Sequence, residues 1–257
     1  MYSRPRIIPC LSISNRDLVK TTKFQNPRYI GDPINAVKIF NNKYVDEICI
    51  LDISVTKENK SPDFEYLTEI ANEAFMPLSY GGGIKTVTDI ERIFYIGYEK
   101  VIINTEFFLN PNLIKEAVQT AGSQSIVVSI DYKCDYWGNY SCYIKNGKEK
   151  TKISPIEMAK RAENLGAGEL LLCSIQNDGM MNGYNIQITK QVSEAVKIPI
   201  IAYGGAGKIE DISEVLKIGR ADAVAASSLF IYYGKKKAIL ITVPGEEEFI
   251  KQGIYSI

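Results

Sequence analysis

PLSYGGGIKTVTDIERIFYIG (77–97) and PIIAYGGAGKIEDISEVLKIG (199–219) are two copies of one segment. Gly82-Gly83 falls on Gly204-Gly205, Asp89-Ile90 on Asp211-Ile212 and Ile96-Gly97 on Ile218-Gly219, always 122 positions later. The same offset carries Pro33-Ile34 onto Pro155-Ile156, Glu47 onto Glu169, Ile53 onto Ile175 and Phe108 onto Phe230. Short β-rich runs alternate with amphipathic stretches at Arg6–Ser12, Glu47–Ile53, Met76–Tyr80, Lys100–Asn104, Ser125–Asp131, Glu169–Cys173, Pro199–Tyr203 and Asp222–Ala226. Helices are expected near 33–43, 63–74, 87–96, 111–121, 155–165, 185–196 and 209–219. Each copy therefore holds four strand-plus-helix units, and eight such units close into a (β/α)8 TIM barrel built from two half-barrels. The chain reads as one domain over 1–257, with half-barrels at about 1–122 and 123–240 and a C-terminal extension over 232–257.

Asp32-Pro33, Asn110-Pro111 and Ser154-Pro155 each place a capping side chain before a proline at a helix start. Three segments break the rhythm. Residues 13–31 read as a long polar connection, and 132–153 as a small hairpin turning at Asn146-Gly147. The apolar run Ala238–Val243, within Tyr232–Pro244, is expected to pack into the core.

Thirty basic residues balance thirty acidic ones, so no global field points to nucleic acid or an anionic membrane. No apolar run reaches the length of a membrane span, and the N-terminus lacks the apolar core of a signal peptide. The five cysteines show no metal-binding spacing; Cys10, Cys49 and Cys173, inside apolar strand runs, are expected as small buried hydrophobes in a reducing cytoplasm. There is no histidine. Acid–base work then falls to Asp, Glu, Lys, Tyr or Cys, and neither a metal nor a cofactor is expected.

Glycines follow strands three and seven, at Gly81-Gly82-Gly83 and Gly204-Gly205-Ala206-Gly207. Hydroxyl and amide side chains follow strands four and eight, at Asn104-Thr105 and Ser227-Ser228. Glycine lets backbone N–H groups approach an anion closely. One cradle per half, on opposite sides of a single mouth, suits an elongated ligand with two phosphates.

RIIPCL (6–11), VK (19–20), GDP (31–33), LDI (51–53), GGGI (81–84), INT (103–105), GSQ (122–124), SIDYK (129–133), GAGE (166–169), DG (178–179), GY (183–184) and GGAGK (204–208) run in order along the chain. Together they resemble the cyclase (synthase) subunit of imidazole glycerol phosphate synthase, over about residues 4–230. The resemblance implies a separate glutaminase docked on the N-terminal face of the barrel. Its ammonia would pass through the barrel to a bisphosphorylated ribulosyl carboxamide at the other face. It further implies one phosphate at Gly83, Asn104 and Thr105, and another at Asp178, Gly179, Gly205, Ser227 and Ser228. Arg6, Glu47, Lys100 and Glu169 would ring the ammonia entrance.

The chain departs from that pattern in its catalytic carboxylates. Asp131 stands at the top of strand five, but Ser12 occupies the strand-one position where the family has its other aspartate. A hydroxyl is no substitute for a tuned carboxylate near neutral pH. Lys20 remains, within SNRDLVKT, with Asp17 nearby; Gln176 takes a position that is usually acidic. With LVKT, NPRYIGDP and the YYGKKKAILI tail, the chain looks like a branch that accompanies a glutaminase and a sugar amidotransferase in surface-polysaccharide synthesis. Three readings follow: an ammonia-conducting subunit for sugar amidation, a cyclase of histidine biosynthesis, and a non-catalytic, ligand-sensing activator of the glutaminase. The half-barrel isomerase of histidine synthesis fits less well, because it also needs the strand-one aspartate.

Overall fold

The computed structural model describes residues 4–234 and 236–255; Met1–Ser3, Lys235 and Ser256–Ile257 lie outside the described residues. Eight strands form the barrel: β1 (Arg6–Ser14), β2 (Ile48–Asp52), β3 (Leu78–Gly81), β4 (Lys100–Ile103), β5 (Ile126–Cys134), β6 (Glu169–Ser174), β7 (Ile200–Tyr203) and β8 (Ala223–Ala226). Each pairs in parallel with the next, and β8 pairs with β1, which closes the ring. The longer helices are α1 (Pro33–Asn41), α2 (Phe64–Glu73), α3 (Val87–Ile96), α4 (Asn112–Ala121), α5 (Pro155–Asn164), α6 (Ile186–Ser193) and α7 (Ile209–Lys217), with a last helix α8 (Glu246–Lys251). The expected (β/α)8 barrel is the observed fold.

Strand residues are buried on both faces, which is why the strands read as continuous apolar runs. Ile7, Leu11, Ile48, Ile50, Val101, Val128, Leu170 and Val224 belong to the layer between barrel and helices. Ile8, Cys10, Cys49, Ile102, Val127, Leu171, Cys173, Ala223 and Ala225 form a separate cluster inside the barrel. The repeat also explains its own aspartates. Asp89 accepts from the N–H groups of Lys85 and Thr86, and Asp211 from those of Gly207 and Lys208, so both tie a glycine loop to the helix that follows.

Asp32 and Ser154 cap α1 and α5 as expected, accepting from Asn35 N–H and Glu157 N–H. Asn110 does not cap α4. It closes the short helix Thr105–Leu109 instead, donating its N–H to Glu106 O at 2.7 Å. The 13–31 segment is not a polar connection either. β1 continues to Ser14, and Asp17–Thr22 and Gln25–Gly31 form two further antiparallel strands. Asn15-Arg16 and Lys23-Phe24 make the two turns with positive φ throughout, the hairpin geometry that glycine or asparagine normally signals. Arg16, Lys23 and Phe24 give no such signal. The 132–153 hairpin is present, between β5 and Tyr140–Ile144, and Asn146-Gly147 sits in the left-handed turn before Glu149–Lys150.

The expected core packing of Ala238–Val243 holds only for its second half. Ala238 and Ile239 pair with Tyr232–Tyr233, and Ala238, Ile239 and Leu240 are exposed; Ile241 and Val243 pack against the core. Among the described residues no helix is long and apolar enough to cross a membrane.

Candidate functional site

The N-terminal end of the barrel carries a closed ring of four charges. Arg6 opens β1, Lys100 opens β4, Glu169 opens β6, and Glu47 immediately precedes β2. Arg6 donates to Glu47 at 2.6 Å and to Glu169, while Lys100 donates to Glu47 at 3.0 Å and to Glu169 at 2.9 Å. Every charge therefore has two opposite neighbours. The carboxylates are buried and the cations reach partway to solvent. Burial works to lower the Arg6 pKa, but Glu169 and Glu47 outweigh it and raise it. Above this layer the inner cluster carries no charge: its side chains are Ile, Leu, Val, Ala and Cys with the ring of Tyr203, and Ser79 lies on β3. All five cysteines are free thiols.

The C-terminal end opens into a cavity of about 790 Å³. Ser12 and Asp131 both line it, as do Gly83, Asn104 and Thr105 of the first cradle. Asp131 is 8% exposed, and its Oδ1 accepts from Ser129 Oγ at 2.9 Å. Burial pushes its pKa up to about 7; the Ser129 hydrogen bond works downward and the Asp178 charge adds a further upward push. A carboxyl poised there can give or take a proton near neutral pH. Ser12 is buried and non-ionising, so the cavity has no matching second carboxyl on β1.

The first cradle is held by close backbone packing. Gly83 has φ +66°, and a Cβ there would lie 2.2 Å from Val55 Cγ1. Asn104 donates to Ser129 O at 3.0 Å, and Thr105 Oγ1 accepts from Lys145 N–H at 3.0 Å. Asn146 reaches across to Ile53 O at 2.6 Å, so the hairpin after β5 forms part of the mouth's wall.

The second cradle has a different character. Asp178, Gly179, Gly205, Ser227 and Ser228 come together as expected, but around a cavity of only about 10 Å³. Lys20 joins this group rather than Asp131: its Nζ donates to Asp178 Oδ1 at 2.5 Å, with both side chains 2% exposed. Thr21 Oγ1 donates to Asp178 Oδ2 at 2.8 Å, and Lys23 N–H donates to Asp178 O at 2.9 Å. The hairpin that sequence reasoning missed is thus latched over this cradle. Ser227 Oγ and Ser228 Oγ are buried with no hydrogen-bond partner.

Residues not expected in the site also line the mouth: Phe24, Asp52, Lys133, Asn146 and Tyr203. Burial raises the Asp52 pKa and lowers that of Lys133. Asp52 was signalled by the LDI run; Phe24 and Tyr203 carried no polar pattern to mark them. Gln176 has a structural use. Its Oε1 accepts from Cys134 N–H and its Nε2 donates to Cys134 O, each at 2.7 Å, so it pairs with the end of β5 like a neighbouring strand. A carboxylate can make only the first of these bonds. Gln176→Glu should therefore destabilise the fold by about 1 kcal/mol, read from urea unfolding.

The model of the family described as "Histidine biosynthesis protein" matches residues 6–237. A Pseudomonas aeruginosa protein provisionally named imidazole glycerol phosphate synthase subunit hisF2 is 46% identical over 241 residues, 94% of this chain and 96% of its own. A Leptospira interrogans protein, provisionally named subunit HisF of the same synthase, is 45% identical and covers 95% of this chain and 97% of its own. The imidazole glycerol phosphate synthase subunit HisF of Alkaliphilus metalliredigens is 40% identical, over 88% of this chain and 90% of its own. Fold, motif order and these relatives agree: the chain belongs to the histidine biosynthesis protein family, among the HisF-like cyclase subunits of imidazole glycerol phosphate synthase.

Proposed function

We propose that this barrel is the ammonia-conducting synthase subunit of a glutamine amidotransferase complex, serving amidation of a surface-polysaccharide sugar. A separate glutaminase docks on the N-terminal face, over Arg6, Glu47, Lys100 and Glu169, and releases ammonia there. A sugar amidotransferase takes up the ammonia beyond the mouth. The observation that carries this reading is the pairing of an uncharged barrel interior with a mouth that has Asp131 but Ser12 opposite. A neutral nucleophile crosses apolar surroundings at small cost, whereas a bare cation pays a large desolvation penalty. The charged ring binds no net charge of its own, since two cations face two anions.

At the mouth, Gly83, Asn104 and Thr105 hold a phosphate of the ligand through neutral donors. Asp131 lies in the same cavity and is the group placed to move a proton. Lys20, locked to Asp178, steadies the hairpin rather than meeting the ligand.

A second reading is favoured by one observation: Asp131, its pKa pushed up to about 7, is tuned for acid–base work, as a true cyclase would need. Complementation of a histidine auxotroph, with a matching glutaminase supplied, separates the two. The wild-type chain should fail to restore growth, because a lost proton-transfer group typically costs about 100- to 10,000-fold in rate. Growth without added histidine would overturn the conduit reading. Growth restored only by Ser12→Asp would show that the missing carboxyl is what separates this chain from a cyclase.

A further inference from the structure

The two cradles are repeat mates, yet one opens onto about 790 Å³ and the other onto about 10 Å³. The residue that breaks the symmetry is Tyr203, whose mate 122 positions earlier is Gly81. A side chain at Gly81 would be crowded, since a Cβ there would sit 3.0 Å from both Ile102 Cβ and Leu51 Cδ2. Tyr203, at the top of β7, instead turns its ring into the barrel among Cys10, Cys173 and Ala225, and is 4% exposed. It lines both cavities, so its ring is the wall between them.

The hairpin closes the same cradle on another side through Lys20, Thr21 and their bonds to Asp178. The donors for a ligand persist, because Ser227 Oγ and Ser228 Oγ are buried and unpartnered. The space left is enough for one water. A phosphate, with four oxygens around phosphorus, is several times larger.

We propose that Tyr203 is a partition that sets the ligand class of the mouth: it admits a ligand anchored by a single phosphate and excludes a bisphosphate that spans both cradles. This rests on the reading of Gly83, Asn104 and Thr105 as a phosphate site. The ligand then lies on the side of the ring that holds Asp131 and Ser12. Lys20, Asp178 and the two serines are walled off from it. The partition and the missing β1 carboxyl thus point the same way, toward a mouth that does not bind a bisphosphorylated cyclase substrate.

Equilibrium dialysis with radiolabelled inorganic phosphate tests this by stoichiometry. The wild-type chain should bind one phosphate, Tyr203→Phe one, Thr105→Asp none and Tyr203→Gly two, with circular dichroism confirming each fold. A phosphate retained by Thr105→Asp would show the second cradle open with Tyr203 in place, and would overturn the proposal even if Tyr203→Gly does not fold. So would no gain in folded Tyr203→Gly, or a gain in Tyr203→Phe, which keeps the ring. A wild-type chain that binds none while Tyr203→Gly binds one would sink the phosphate reading of the first cradle and leave the partition standing.

Discussion

Replacing Lys100 with leucine should uncouple glutamine-driven from ammonium-driven product formation. Lys100 is one of two cations that hold Glu47 and Glu169 in the four-charge ring, and both carboxylates are buried. Without it they share Arg6 alone and repel each other across the end of the barrel. Removing one partner from a buried ion pair typically costs about 3–5 kcal/mol. Lys100 is partly exposed and Arg6 stays behind, so about 2–3 kcal/mol is expected, or roughly 5–10 °C in Tm for a chain of this size. The functional effect should be larger and selective. In the complete complex with its glutaminase and acceptor enzyme, the glutamine-dependent rate should fall by about tenfold or more, an added barrier of about 1.4 kcal/mol or higher. The rate with ammonium salt, which enters from the open mouth, should stay within about twofold at a temperature where the variant is folded. An equal fall in both rates would reduce the ring to a stabilising layer.

Asp131→Asn should stabilise the protein, and only above mildly acidic pH. Burial raises the folded-state pKa of Asp131 from an ordinary carboxylate value to about 7. Between those two values the folded chain holds a proton that the unfolded chain has released. The contribution of this group to stability is therefore present below about pH 4 and is lost as pH rises toward 7. The whole span corresponds to about 4 kcal/mol, and solvent reaching the carboxyl through the mouth reduces it to about 2–3 kcal/mol. At pH 8 the Asn variant should thus unfold at higher urea than the wild type, with the gap closing at pH 4. A gap that persists at pH 4 would place its origin in packing rather than in the charge. Product formation by Asp131→Ala is the companion readout: a conduit leaves it intact, and a chemical role for the carboxyl abolishes it.

The barrel was legible because two physical constraints repeat along the chain. Strands buried on both faces must be apolar throughout, and each βα turn needs its own glycine, aspartate or cap. Asp89 and Asp211 are a clear case, since one hydrogen-bonding job preserved one residue type at one offset. The grouping of Arg6, Glu47, Lys100 and Glu169 came from the family resemblance, and the four do pair at the N-terminal end of the barrel. The hairpin over the second cradle was not legible. Its turns force Arg16, Lys23 and Phe24 into left-handed backbone with no glycine to announce it, and the latch joins Lys20 to Asp178 across 158 residues. Nor were the two cradles told apart. The sequence does set Tyr203 against Gly81, but that its ring turns into the barrel, and that the 13–31 hairpin closes over the second cradle, follow only from the fold. Gln176 read as a lost acid, whereas its amide is a backbone-pairing group that needs both a donor and an acceptor.

The central claim is that ammonia stays inside the protein from its release to its use. It is tested most directly by an isotope competition in the complete complex, with glutamine labelled at the amide nitrogen by ¹⁵N and a large excess of unlabelled ammonium in the buffer. Conduction through the barrel predicts product that keeps nearly all of the ¹⁵N, and loss of that protection in Lys100→Leu. Product whose label is diluted to the composition of the bulk ammonium in the wild type would contradict it.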